Sequence, residues 1–138
     1  YGNLYNWYTV DDDRGVCPEG FHVPTDVEFM ELEMELGMSL EDAINTNWRG
    51  TDEGSKLAGN SDLWNGGDLV NNIMFGASGF IALPGGQRRQ GSFTYLAEEA
   101  NFWSSSSTWK RTLIYATSEV FRLEHNPKDG FSIRCLAD

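Results

Sequence analysis

Two cysteines, two histidines, three consecutive aspartates and four consecutive serines are the side chains of this sequence whose chemistry could go beyond packing. Cys17 and Cys135 stand 118 positions apart, and neither has a second cysteine at C-x-x-C spacing. A zinc site needs more Cys or His ligands close by, and the only histidines are His22 and His125. One disulfide joining the two ends is the expected state, with two buried free thiols as the alternative. Closing so long a loop stabilises by at most about 4 to 5 kcal/mol in chain-entropy terms, and the bond implies an oxidising compartment.

His22 lies between Phe21 and Val23 beside prolines, which favours a structural, hydrogen-bonded histidine over a catalytic base. Ser104 to Ser107 could supply a nucleophile, but no Gly-x-Ser-x-Gly elbow surrounds them, so a Trp-anchored turn is expected. Asp11, Asp12 and Asp13 lack the alternating oxygen spacing of a calcium loop and read as a solvated acidic turn. No cofactor is expected. Calcium is the one ion with candidate ligands, at that turn or at Asp52, Glu53, Asp62 and Asp68.

The elements that would position these groups begin with the aromatic run Tyr1 to Val10, expected to be a strand stopped by the aspartate turn. Thr25-Asp26-Val27-Glu28 is a capping box, in which Thr25 accepts from the Glu28 amide while Glu28 reaches back. A helix is predicted from 26 to 36, with Val27, Phe29, Leu32 and Leu36 at helical spacing and Gly37 ending it. Glu28, Glu31, Glu33 and Glu35 read as its solvated face. Ser39-Leu40-Glu41-Asp42 predicts a second helix from 40 to 47, and these two are the only helices of consequence expected. From Trp48 to Gly91 the composition describes long loops, interrupted by a buried strand over Ser78 to Gly86.

The last third is β-rich, with strands expected at 101–105, 109–116, 119–123 and 131–136. In the second, Trp109, Arg111, Leu113 and Tyr115 share one face while Lys110, Thr112, Ile114 and Ala116 share the other. Parity turns Cys135 inward, as a buried bridge to Cys17 requires. The expected class is α+β, one domain over 1–138, with two helices, a small twisted antiparallel sheet and long loops. At 138 residues, with 40% hydrophobic and 13% aromatic content, one core is affordable.

The formal net charge of -11 repels a phosphate backbone, so nucleic acid and anionic membrane are not expected partners. No run of roughly 18 apolar residues could span a bilayer, and direct membrane insertion is not expected. Tyr1 begins inside a patterned segment, which is compatible with a leader removed before it.

Five ordered blocks are more specific than any single motif: Tyr1 to Trp7, Cys17 to Thr25, Ser78 to Gly86, Phe102 to Ser105 and Gly130 to Cys135. Together with Trp48 to Leu57 they resemble the Fibrobacter succinogenes major paralogous domain across nearly the whole chain. The resemblance implies a C-type-lectin-like fold, related to formylglycine-generating enzymes, and a secreted or cell-surface protein of the bacterial envelope. Those enzymes use a reactive cysteine pair. Here both cysteines fall at structural positions of the pattern and no third remains, so no enzyme is expected. Some members are variable proteins of diversity-generating retroelements, and 102–135 resembles their mutated, ligand-choosing region.

The expected function is therefore binding of a protein or glycan at a cell surface. The expected contact residues are Trp109, Lys110, Thr112, Ile114, Phe121, Leu123 and His125, whose aromatic and cationic chemistry fits a binding hot spot. A structural module of a larger envelope or pilus-like protein is the alternative. Exposed aromatics on the C-terminal sheet would favour binding, and their burial the structural reading.

Overall fold

The computed structural model describes residues 1–138. Its helices are α1 (Trp7–Val10), α2 (Asp26–Glu35), α3 (Leu40–Ile44), α4 (Glu53–Leu57) and α5 (Asp68–Asn71), with a 3-10 turn at Ser61–Leu63. The strands are β1 (Phe21–His22), β2 (Asn47–Arg49), β3 (Gln87–Arg89), β4 (Ser92–Thr94), β5 (Glu99–Trp103), β6 (Trp109–Ile114), β7 (Val120–Glu124) and β8 (Leu136–Ala137). All strand pairs are antiparallel: a four-stranded sheet in the order β2-β7-β6-β5, the hairpin β3-β4, and β1 with β8. The chain is thus a mixed helix and sheet protein.

The capping box forms as its sequence requires. The Glu28 amide donates to Thr25 Oγ1 at 3.1 Å, and the Thr25 amide donates to the Glu28 carboxylate at 2.8 Å. At the other end Gly37 takes φ +116°. Its amide reaches Met34 O while the Met38 amide reaches Glu33 O, a Schellman closure that only glycine adopts without strain. Ser39 caps α3 through the Asp42 amide, but α3 ends at Ile44 rather than 47, because Asn47–Arg49 pairs with β7.

Three expected strands are corrected. Over 1–10 only Tyr5 forms a β-bridge, to Phe131, and Asn6 caps the short α1 by accepting from the Thr9 amide. Its aromatics are anchored by tertiary hydrogen bonds: Trp7 Nε1 donates to Ser104 O at 3.0 Å, and Tyr5 O accepts from Trp103 Nε1 at 2.8 Å. Over 78–86 there are only the bridges Ala58–Ala82 and Gly86–Ala100. Over 131–136 the bridges of Phe131 and Ser132 are separated from β8 by three unpaired residues. Cys135 is nevertheless bonded to Cys17, and the β1–β8 pairing fastens the same two segments.

The hydrophobic core lies against one face of the four-stranded sheet. Phe102, Ala100, Leu113 and Val120 from the strands meet Phe29, Met38, Ala43, Leu57, Trp64 and Leu69. Gly54 is required where α4 passes β7: its amide donates to Ser118 O, and a Cβ would collide with the carbonyls of Ser118 and Glu119.

Through the same face runs a buried ionic network. Arg111 bonds Glu33 Oε1 at 2.6 Å and Asp26 Oδ1 at 2.7 Å, Arg122 bonds Asp26 Oδ2 at 2.6 Å, and Arg49 pairs with Glu33. The expected solvated face of α2 is therefore corrected at Glu33, which is 0% exposed, although Glu31 and Glu35 do face solvent. Glu33 sits four residues after Phe29, and residues four apart share a helix face. Three guanidiniums meet two carboxylates here. The excess cation is offset by ring faces, with Arg122 over Trp109 at 4.0 Å and Arg111 over Phe29 at 5.2 Å.

Removing one partner from such a network leaves an uncompensated buried charge. Glu33→Gln is expected to cost about 3 to 5 kcal/mol in urea unfolding. Glu31→Gln, two residues away on the solvent side, should stay within about 0.5 kcal/mol. Equal losses for the two would show that the network contributes no specific stability.

Candidate functional site

Directly paired residues in an antiparallel sheet project to the same side, so the register defines the second face of the four-stranded sheet. Trp48 pairs with Phe121, Phe121 with Thr112, and Thr112 with Asn101. Leu123 pairs with Lys110 and Lys110 with Trp103, while Ile114 pairs with Glu99. Six of the seven expected contact residues thus gather at this face: Lys110, Thr112, Ile114, Phe121 and Leu123 on the strands, and His125 just past β7. Trp109 does not. It pairs with Glu124 on the core face, where its ring lies under the Arg122 guanidinium.

The face is covered unevenly. Toward β5 the hairpin β3-β4 and the turn 125–132 lie over it: Asn101 donates to Gly86 O, and Phe131 packs on Trp103 with ring centroids 4.4 Å apart. Lys110 is 6% exposed and Thr112 is buried, so the expectation that both are surface contacts is corrected. Toward β2 the face opens. Trp48 is 40% exposed and packs, tilted by 57° at a centroid distance of 5.1 Å, on half-buried Phe121, with Leu123 and Ile114 half-buried beside it. Trp48 escaped the sequence reading because its strand is only three residues long and pairs far along the chain. The cue was an aromatic isolated between polar neighbours.

Under the rim lies a polar cluster. Lys110 Nζ donates to Asn101 Oδ1 at 3.0 Å and sits 4.5 Å from the centre of the Phe131 ring. The same Asn101 oxygen accepts from Thr112 Oγ1 at 2.7 Å. Burial, partly offset by Glu99 and Asp129, lowers the Lys110 pKa to about 8. His125 bonds Asp129 at 2.9 Å, and burial together with the Lys110 charge holds it below the usual histidine value. The cluster is a self-satisfied set of hydrogen bonds lying beside the open aromatic pair.

Of the remaining candidate groups, Asp11, Asp13, Asp62 and Asp68 are exposed without side-chain partners, and most of the others are occupied by structure. His22 is bonded on both ring nitrogens, to Asp138 at 2.7 Å and Glu28 at 2.9 Å, and these carboxylates raise its pKa. Ser106 accepts from the Asp26 amide, and Ser107 donates to Glu124. Asp12 is paired with Arg14 in the acidic turn, and Asp52 with Lys56. Glu53 is buried and accepts from the Thr51 amide. No three His, Cys, Asp or Glu side chains converge on a common point.

Residues 1–137 match the family described as Fibrobacter succinogenes major domain. No curated protein and no solved structure matches the chain.

The lowered Lys110 pKa has a thermodynamic consequence of definite sign. Between about 8 and 10.5 the folded chain has released a proton that the unfolded chain still holds, so stability rises with pH across that window. The gain is on the order of 3 kcal/mol at most. Below about 8 both states carry the charge, and this contribution to the pH dependence vanishes. Urea midpoints measured from pH 7 to 11 should show the rise, and Lys110→Met should remove it. A rise that persists in Lys110→Met would assign it to another group.

Proposed function

We propose, from the premise that this chain belongs to the Fibrobacter succinogenes major domain family, that it is a secreted or cell-surface module binding a protein or a glycan. Within that proposal the fold is C-type-lectin-like: the long helix α2 with four short helices where only two helices were expected, a small twisted antiparallel sheet, long loops, and chain ends fastened to each other. The Cys17–Cys135 bond and the β1–β8 pairing support this arrangement, and a disulfide persists in the oxidising setting of an envelope or exterior.

The observation that carries the binding reading is the Trp48–Phe121 pair, a half-exposed aromatic surface beside the buried Asn101, Lys110 and Thr112 cluster. Rigid rings lose little conformational entropy on contact, and they stack on sugar faces or apolar side chains while neighbouring polar groups set orientation. The ligand-binding set we propose is therefore Trp48, Ile114, Phe121, Leu123 and His125. Lys110 and Thr112 support the set from beside Phe121 and Leu123.

Strand alternation also makes 102–135 a workable variable region, because substitutions at the open face leave the ionic network on the other side intact. An adjacent reverse transcriptase and a template repeat differing at adenines in the flanking DNA would establish that role. The structural-module reading draws on the burial of Lys110 and Thr112. The exposure of Trp48 favours binding.

The test is to screen the intact chain on arrays of glycans and of cell-surface ectodomains, then to remeasure each hit with Trp48→Ala and Phe121→Ala. Loss of a central aromatic anchor should weaken binding by about 2 kcal/mol, roughly thirtyfold. Unchanged affinity in both variants, with thermal stability retained, would move the site off this face. No hit on either array would favour the structural module.

A further inference from the structure

On the opposite side of the molecule from this reading, α2 and the C-terminal segment enclose a groove of about 600 Å³. Its apolar lining includes Phe29, Leu32, Phe80 and Leu136, and one border carries Glu28, Glu31 and Glu35 from α2. Glu28 is already bound to His22 and Thr25, whereas Glu31 and Glu35 are exposed and enter no ion pair. The single cation lining the groove is Arg134, whose guanidinium lies 4.6 Å from the Phe80 ring centre and donates one hydrogen bond to Ile81 O.

The other border is the segment Arg134–Leu136. Between the Ser132 bridge and β8, Ile133, Arg134 and Cys135 make no main-chain hydrogen bond within the molecule. Free amides and carbonyls beside an apolar groove are what an added strand uses. This stretch is held in place by the Cys17–Cys135 bond and by β8.

We propose that this groove docks an extended, basic and apolar peptide segment of a partner protein. The segment's main chain pairs with Arg134–Cys135, one apolar side chain enters beside Phe29, Leu32 and Phe80, and a lysine or arginine meets Glu31 and Glu35. A second copy of this chain is disfavoured as occupant because each copy carries a net charge of -11. The proposal uses none of the sheet-face residues, so it stands or falls apart from the binding reading above.

The experiment uses the full chain, nitrogen-15 labelled, titrated with a capped heptapeptide alternating lysine and valine. A heptapeptide alternating glutamate and valine is the control. Saturable amide shifts are expected at residues 31–36, 79–80 and 133–136 with the lysine peptide alone, weakening at high salt. Glu31→Lys combined with Glu35→Lys should weaken the lysine peptide about tenfold or more and gain binding to the glutamate peptide. If the double reversal impairs folding, Glu31→Gln with Glu35→Gln replaces it, with weaker lysine-peptide binding expected. No saturable shift at these residues, shifts centred on Trp48 and Phe121, or affinity indifferent to the charge variants in folded protein would each overturn the proposal.

Discussion

Everything else in this fold depends on how two buried carboxylates are shared among three guanidiniums. Asp26 and Glu33, one helical segment of α2, receive Arg111 from β6, Arg122 from β7 and Arg49 from β2. A helix laid on a sheet by apolar contact alone can slide along it, since the hydrophobic effect has no direction. Charge-assisted bonds from fixed forks admit one position only. Arg122 extends the constraint by donating to the carbonyls of Ile44 and Asn45, which ties the end of α3 to the same sheet. Replacing such a network by hydrocarbon is often neutral or stabilising in other proteins, so its contribution here is best stated as register and specificity.

The network also explains which parts of the fold were legible in the sequence. Thr25 with Glu28, Gly37 and Ser39 act within one helical turn, and local spacing carries all of their information. Glu33 looks like Glu31 and Glu35 in composition, and its burial follows only from its place four residues beyond Phe29 on a face that meets arginines distant in the chain. Strand parity separated Lys110, Thr112 and Ile114 from Trp109, Arg111 and Leu113. The face of Lys110, Thr112 and Ile114, expected to lie away from the core, does so, but nothing local told that Arg111 and Arg122 on the core side would be buried charges. The aromatic run at the N-terminus carried β propensity, yet what Trp7 and Tyr5 make is hydrogen bonds to and from partners almost a hundred residues away.

At the candidate site the sequence supplied the strands and most of the residues but not their depth. Lys110 and Thr112 sit below the surface because Asn101 recruits both, and Asn101 is itself held by Gly86 of the approach to β3. Gly86 is at φ +68° with the main chain of Thr94 and Leu96 against it, so the hairpin can close over Asn101 only with glycine there. A hairpin of two three-residue strands leaves no periodic signal, and its covering role was invisible without the tertiary arrangement.

The two faces of one sheet therefore carry separate burdens. Arginines on the inner face lock α2 and α3, while the outer face grades from a covered polar cluster at β5 to an open aromatic pair at β2. Alternation along each strand keeps these burdens on different residues: between Lys110 and Thr112 stands Arg111, and between Phe121 and Leu123 stands Arg122. A substitution at an outer position leaves each arginine's main-chain anchor and its carboxylate partner where they were. The inner face can accordingly hold the fold constant while the chemistry of the outer face changes, which is the physical condition a scaffold with an exchangeable binding surface has to meet.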